Sequence, residues 1–282
     1  MESQPKPNQN LTETQQRMHV KPEEKYPLSE NERNLLLNEM LGSGAVFILL
    51  GIILAVTYTG LRTGDWLAVF AHFTWAVDFS QAMTLGSNPL VGVGLALVLP
   101  VAFLAIEIVR EKLMWAKSEQ YRKEAYEMRR SFTGEIPRLG VCNMAITAAV
   151  AGFAEEFCFR YGAIGVLTVL LEGLFDFRFA MALAIALTSL AFVSAHVQYG
   201  KLWEKLVVGF FAIVVGVVYV ITGSLLVVAV IHALYDFLAE LWSCRQMVRE
   251  EDYFGGQDAP DGIIGAQIKE LREMLRNRNK RD

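Results

Sequence analysis

Long apolar blocks constrain this chain more than any other feature. Leu90–Val109, Leu206–Thr222 and Leu225–Trp242 carry no Lys or Arg and few acids. Roughly 20 apolar residues in a helix cross a bilayer. In lipid the backbone must satisfy its own hydrogen bonds, which leaves helices or closed barrels. The blocks are far longer than the ~10-residue alternating strands of a barrel. The reading is therefore an all-α, polytopic transmembrane helix bundle. Composition agrees, because the 282-residue chain is 53% hydrophobic with a mean hydropathy of +0.32.

Six spans are expected, plus one interfacial helix. The first two are Ser43–Gly60 and Leu90–Val109. Gly44 and Gly51 are seven apart in the first, which puts both on one face and permits close helix packing. Four apolar segments follow: Leu139–Leu174, Ala180–His196, Leu206–Thr222 and Leu225–Trp242. Leu139–Leu174 would be ~54 Å long as a single helix, against a hydrocarbon core of ~30 Å. It must tilt, break or begin as a surface helix. Between the first two spans, residues 61–89 are rich in Trp and Phe. They read as an interfacial or re-entrant helix, with a full extra span as the alternative.

The organisation is then a disordered polar tail over 1–38 and two N-terminal spans with the interfacial segment over 39–109. A charged loop or helix occupies 110–138, a four-segment membrane core 139–242, and a polar tail 243–282. The first tail has too little apolar surface to offset the entropy of ordering, and it lacks a signal-peptide core. It contains His19 and the weak sequon Asn10-Leu11-Thr12. Within the charged segment, Lys117–Arg130 reads as an exposed, solvated helix. In the last tail, Ile263–Arg278 has apolar residues at helical spacing, as an amphipathic surface helix does.

Charge sets the topology. With the N-terminus inside, the inner segments carry 5, 8, 2 and 8 Lys/Arg, while the outer ones carry only Arg62 and Arg178. This obeys the positive-inside rule and puts both termini in the cytoplasm. Net charge is −4, and no basic groove with interleaved aromatics points to nucleic acid. Cys142, Cys158 and Cys244 lack metal-type spacing and read as free thiols. The sequence carries no signature of an oligomeric state.

Against this apolar background, Ala154-Glu155-Glu156-Phe157-Cys158-Phe159-Arg160 stands out. Ionisable groups at such depth are costly and are usually paired or functional. On a helix Glu156 and Arg160 share a face. Glu155 points about 100° away and needs another partner. The candidates are His196, and His232 with Asp236 one turn later. Phe192 lies one turn before His196. A purely structural polar network is the bland alternative, and a proton-coupled transporter is another, although no inverted repeat is visible.

The order Glu-Glu-x-x-x-Arg, Phe-x-x-x-His, His-x-x-x-Asp resembles the CPBP family of intramembrane proteases, the CAAX prenyl endopeptidase and bacteriocin-processing proteins. The resemblance covers about Leu139–Trp242. It implies a bundle of eight helices or fewer with a polar cavity open to the cytoplasm. It implies an endopeptidase in which Glu155 and His196 activate water, Glu156 and Arg160 support the site, and His232 and Asp236 stabilise the oxyanion. A membrane scaffold or bacteriocin self-immunity protein of the same fold is the alternative. No cofactor is implied; zinc on Glu155, His196 and His232 is the minority reading. The partners implied are membrane lipid and a peptide or lipidated protein substrate, in a bacterial cell membrane.

Two positions depart from the family pattern. Asp236 stands where the eukaryotic CAAX branch has Asn, and an ionised Asp cannot donate a hydrogen bond. The reading is that Asp236 orients His232, whose ring then donates. Tyr161 stands where many members have Gly and is expected to narrow or line the cavity. One geometric difficulty stands against this cluster. His196 ends its helix, whereas His232 is about eight residues from the start of its own, so their nominal depths differ.

Overall fold

The computed structural model describes residues 28–129, 133–196 and 202–254. Those residues are helical and contain no strand. The elements are α1 (Glu30–Thr63), α2 (Trp66–Ala71), α3 (Thr74–Ala82), α4 (Pro89–Lys117) and α5 (Glu119–Arg129). A 3₁₀ turn follows over Thr133–Leu139. Next come α6 (Val141–Glu156), a π-helical segment (Phe157–Ile164) and α7 (Gly165–Glu172), then α8 (Phe177–Ala195), α9 (Leu202–Thr222) and α10 (Leu225–Phe254). Among the described residues, six helical stretches are long and apolar enough to cross a membrane, with α6 to α7 counted as one continuous span, Val141–Glu172. The protein is a multi-pass, all-α membrane protein.

Several boundaries differ from the sequence reading for local reasons. Helix α1 starts at Glu30, inside the expected polar tail. Ser29 and Glu32 form a capping box: the Ser29 N–H and hydroxyl donate to the Glu32 carboxylate at 3.0 and 2.8 Å, and the Glu32 N–H donates to Ser29 Oγ at 3.3 Å. The long Leu139–Leu174 segment breaks at Gly140, whose φ of +83° suits a residue without Cβ. The remainder stays continuous but passes through π winding at its centre. The extra-span alternative for residues 61–89 falls, because α2 and α3 have only 6 and 9 residues. His19, the Asn10 sequon and Ile263–Arg278 lie outside the described residues.

The chain divides into two compact units. One gathers the described residues up to Leu36, Val109–Met144, and those from Ala239 onward; the other takes Leu37–Ile108 and Ala145–Leu238. These units cut across the sequence-based divisions. In the first unit the charged connection is less solvated than its composition suggests. Arg129 reaches Glu111 at 2.5 Å and also pairs with Glu250, and both carboxylates are buried. A planar guanidinium can serve two carboxylates at once.

In the second unit helices approach closely through small residues. Cβ atoms on Gly44 and Gly51 would come within 2.5 Å of Val150 and Phe157, so the glycine face of α1 lies against α6 and the π segment. The turn between α9 and α10 is recessed. Ser224 and Leu225 are fully buried, and Ser224 Oγ donates to the carbonyl of Thr84. Gly86 backs onto Thr222, so the segment before α4 covers this turn. Asp78 on α3 ties that cover to α1 through Thr59 and Arg62, at 3.1 and 2.6 Å.

Gly152 sets the spacing of α6 from α10. A Cβ there would sit 2.6 Å from the backbone nitrogen of Ala233, and backbone cannot swing aside. Gly152→Ala is expected to cost about 1–3 kcal/mol through overpacking. Unfolding titrations in mixed micelles would measure this.

Candidate active site

Glu155 and Glu156 are the last two residues of α6, immediately before the π-helical segment that contains Arg160. π turns inside α-helices often mark functional sites. The pair expected from the i,i+4 spacing is present: Arg160 Nε lies 2.9 Å from Glu156 Oε2, and both side chains are essentially fully buried. The guanidinium also lies 4.6 Å from the centre of the Phe192 ring. Two favourable environments thus surround a cation that would otherwise be prohibitively buried.

Glu156 does more than its sequence spacing indicated. Its second oxygen, Oε1, accepts from His232 Nδ1 at 2.8 Å. One buried carboxylate therefore joins Arg160 on its own span to His232 on α10. The sequence reading gave the orientation of His232 to Asp236 alone. Asp236 Oδ2 is 3.4 Å from the other ring nitrogen, Nε2, so both carboxylates face this imidazole. The ring edge is packed against Phe211, with centroids 5.1 Å apart. Only the two-proton imidazolium can donate towards both acids.

His196 is held differently. It is the C-cap residue of α8. Its Nδ1 is 2.8 Å from the carbonyl of Phe192, and its ring stacks on the Phe192 ring at 4.4 Å. A carbonyl only accepts, so Nδ1 carries the proton and, in the neutral ring, Nε2 presents a lone pair. Phe192 thus supplies both the plane and the tautomer of His196. That is the physical content of the Phe-x-x-x-His spacing.

These elements converge on Glu155. Its Oε2 lies 3.6 Å from His196 Nε2 and 4.0 Å from His232 Nε2. The same oxygen is buried and makes no hydrogen bond. The nominal depth difference does not keep the two imidazoles apart, since both reach Glu155, and the turn at the start of α10 is covered by the segment before α4. Exposure rises across the cluster. Glu156 and His232 are sealed at 0% and 5%, Glu155 and His196 stand at 14% and 17%, and Asp236 reaches 32%. The sequence-derived residues Glu155, Glu156, Arg160, His196, His232 and Asp236 therefore form one cluster with a buried floor and an accessible rim at Asp236.

Other sequence candidates lie elsewhere. Tyr161 does not line this cluster. It is buried among Phe157, Phe79 and Tyr58, with ring centroids 5.8, 5.8 and 6.2 Å away. Winding through the π segment turns it away from the site. Cys158 is a buried free thiol. Among the described residues no group of three His, Cys, Asp or Glu is arranged to hold a metal ion. The carboxylate of Glu155 and the two Nε2 atoms face one another, and His232 commits its Nδ1 to Glu156. The arrangement suits polarisation of a small polar molecule in front of Glu155, with a proton acceptor on one side and an N–H donor on the other.

Comparison with known proteins agrees with the motif reading. Residues 137–238 match the family described as Type II CAAX prenyl endopeptidase Rce1-like. The matched stretch contains all six residues of the cluster. It is a peptidase family, as the resemblance to CPBP proteins implied. No curated protein and no solved structure matches the chain.

The shared carboxylate makes a specific stability prediction. Arg160→Met leaves Glu156 buried with one partner fewer and is expected to cost about 3–5 kcal/mol. Adding Glu156→Gln to that variant should cost less than the sum of the two single changes, by at least ~1 kcal/mol, because contacting pairs are not additive. Equilibrium unfolding of the four proteins in one micelle system gives the coupling.

Proposed function

We propose that this protein is an intramembrane endopeptidase that hydrolyses a peptide bond near the end of a membrane-associated, CAAX-type or precursor-peptide substrate. The observation that carries the reading is Glu155. It is a half-buried carboxylate whose enclosed Oε2 makes no hydrogen bond and faces two imidazole Nε2 atoms at 3.6 and 4.0 Å. At separations above 3.5 Å a water is a candidate to link two polar groups, and the proposed mechanism places one in front of Glu155. Such a water has a carboxylate base beside it and a lone pair at His196 to share its second proton.

The steps follow from this placement. Glu155 removes a proton from water as the oxygen attacks the scissile carbonyl carbon. A C–O bond forms, and the carbonyl π electrons move onto oxygen. His232 Nε2–H turns to that oxyanion, as donors aimed at developing charge do. Asp236 and Glu156 hold the ring and balance its charge; an ionised Asp236 does not itself donate to the oxyanion. The tetrahedral centre then collapses, the C–N bond breaks, and the leaving nitrogen takes the proton held by Glu155. Each proton and electron pair is accounted for by groups of this cluster, so the proposed reaction is metal-independent.

The side of the membrane is also part of the proposal. The start of α1, the connection between α4 and α6, and the end of α10 fall in one compact unit. That grouping supports placing these three segments on one side. The positive-inside rule makes it the cytoplasmic side, with both termini there.

The test is cleavage of a library of isoprenylated and unmodified C-terminal peptides by purified protein, wild type against Glu155→Gln at equal folded fraction. The substitution is expected to lower the single-turnover rate by about 10²–10⁴, and a chelator is expected to leave the wild-type rate unchanged. Full cleavage by Glu155→Gln contradicts the mechanism. Loss with chelator, restored by zinc, contradicts the metal-free form of it.

A further inference from the structure

The ends of α4 and α10 meet, within one compact unit, in a layer of cations and indoles. Lys112 and Trp115 lie three apart on α4. Trp242, Arg245 and Arg249 recur at three and four residues along one face of α10. The Arg249 guanidinium sits 3.9 Å above the centre of the Trp115 ring, and Lys112 Nζ is 5.9 Å from that of Trp242. This layer stands at or just past the ends of the apolar stretches of both helices, near Val109 and Trp242. Tryptophans at such positions belong to the headgroup level of a bilayer.

Arg249 lacks a matched counter-ion. A stacked guanidinium directs its N–H groups outward in its own plane. Its Nε and Nη2 are enclosed, yet neither donates a hydrogen bond. The nearest carboxylate oxygen is Glu111 Oε1 at 3.9 Å from Nη2. That oxygen is already held by Arg129 at 2.5 Å, and the other Glu111 oxygen by Trp242 Nε1 at 2.5 Å. Glu250 also pairs with Arg129. Burial lowers the basicity of Arg249, and Glu111 and Glu250 offset this only in part. The side chain is nonetheless 35% exposed, so an external anion can reach it. Lys112 and Arg245 are exposed beside it.

We propose that Arg249, seated on Trp115 and flanked by Arg245 and by Lys112 over Trp242, binds the phosphate of an anionic lipid headgroup. A weakly hydrated guanidinium pairs well with a phosphate oxygen, and a lysine adds charge. The chemistry is shared with free phosphate, but the position selects the lipid. Leu113 and Met114, next to Lys112 on α4, are 52% and 42% exposed and offer apolar surface to acyl chains. The site lies outside the residues matched to the peptidase family and does not depend on the peptidase reading.

The experiment uses the full chain in a zwitterionic detergent. Thermal unfolding is followed with added phosphatidylglycerol, phosphatidylcholine or inorganic phosphate. Phosphatidylglycerol is expected to raise Tm, while the other two leave it in place. Arg249→Gln should abolish the shift and Arg249→Lys retain part of it. Lys123→Gln should keep all of it, because Lys123 already pairs with Glu119 at 2.9 Å on the exposed face of α5. Should Arg249→Gln lose its cooperative transition, native mass spectrometry of the Lys112→Gln, Arg245→Gln double variant replaces it, with reduced retention of phosphatidylglycerol expected. An equal shift from phosphatidylcholine, or from inorganic phosphate alone, overturns the lipid site. So does an undiminished shift in Arg249→Gln or undiminished retention by the double variant.

Discussion

The site depends on one buried carboxylate that serves two cations. Glu156 sets one oxygen 2.9 Å from the Arg160 guanidinium as an ion pair and accepts from His232 with the other. Removing two or three charges from water is expensive, and only close, complementary partners offset that cost. The chain Arg160–Glu156–His232 meets this requirement with no exposed member. It joins the π-wound span to α10 and presents His232 Nε2 to the front of the cluster. Phe192 adds a second anchor, since one ring carries the Arg160 guanidinium on its face and stacks against His196. Glu155 is thereby left as the carboxylate whose oxygen has no structural duty.

Much of this was legible in the chain. Apolar length alone gives the six spans, because a bilayer admits few alternatives for such blocks. The adjacency of Glu155 and Glu156 and the four-residue spacing to Arg160 give one ion pair, and the surplus carboxylate follows by subtraction. The capping box at Ser29 and Glu32 could also have been read, but the polar composition around it suggested a tail. The Glu156–His232 bond could not be read. It spans 76 positions, and the oxygen that faces each partner depends on winding within the π segment. Nor does residue counting reveal that the α9–α10 turn is recessed beneath the segment before α4. The buried Arg129 cluster was likewise hidden, because charged composition resembles a solvated helix until the partners Glu111 and Glu250 come together in space.

The proposed division of labour between adjacent glutamates has an energetic signature. A group held for structure stabilises the fold, and its loss is costly. A buried group kept unpaired for reaction is tolerated at a cost, and its neutralisation relieves strain on the fold, as stability and activity often trade against each other. Glu155→Gln and Glu156→Gln are identical in chemistry and adjacent in position, so their comparison cancels most other effects. The decisive measurement is the unfolding free energy of these two variants in the same micelles. The account predicts that Glu155→Gln is as stable as wild type or more so, while Glu156→Gln loses about 3 kcal/mol by leaving Arg160 and His232 poorly compensated. A loss confined to Glu155→Gln would contradict it, because Glu155 would then be the structural carboxylate.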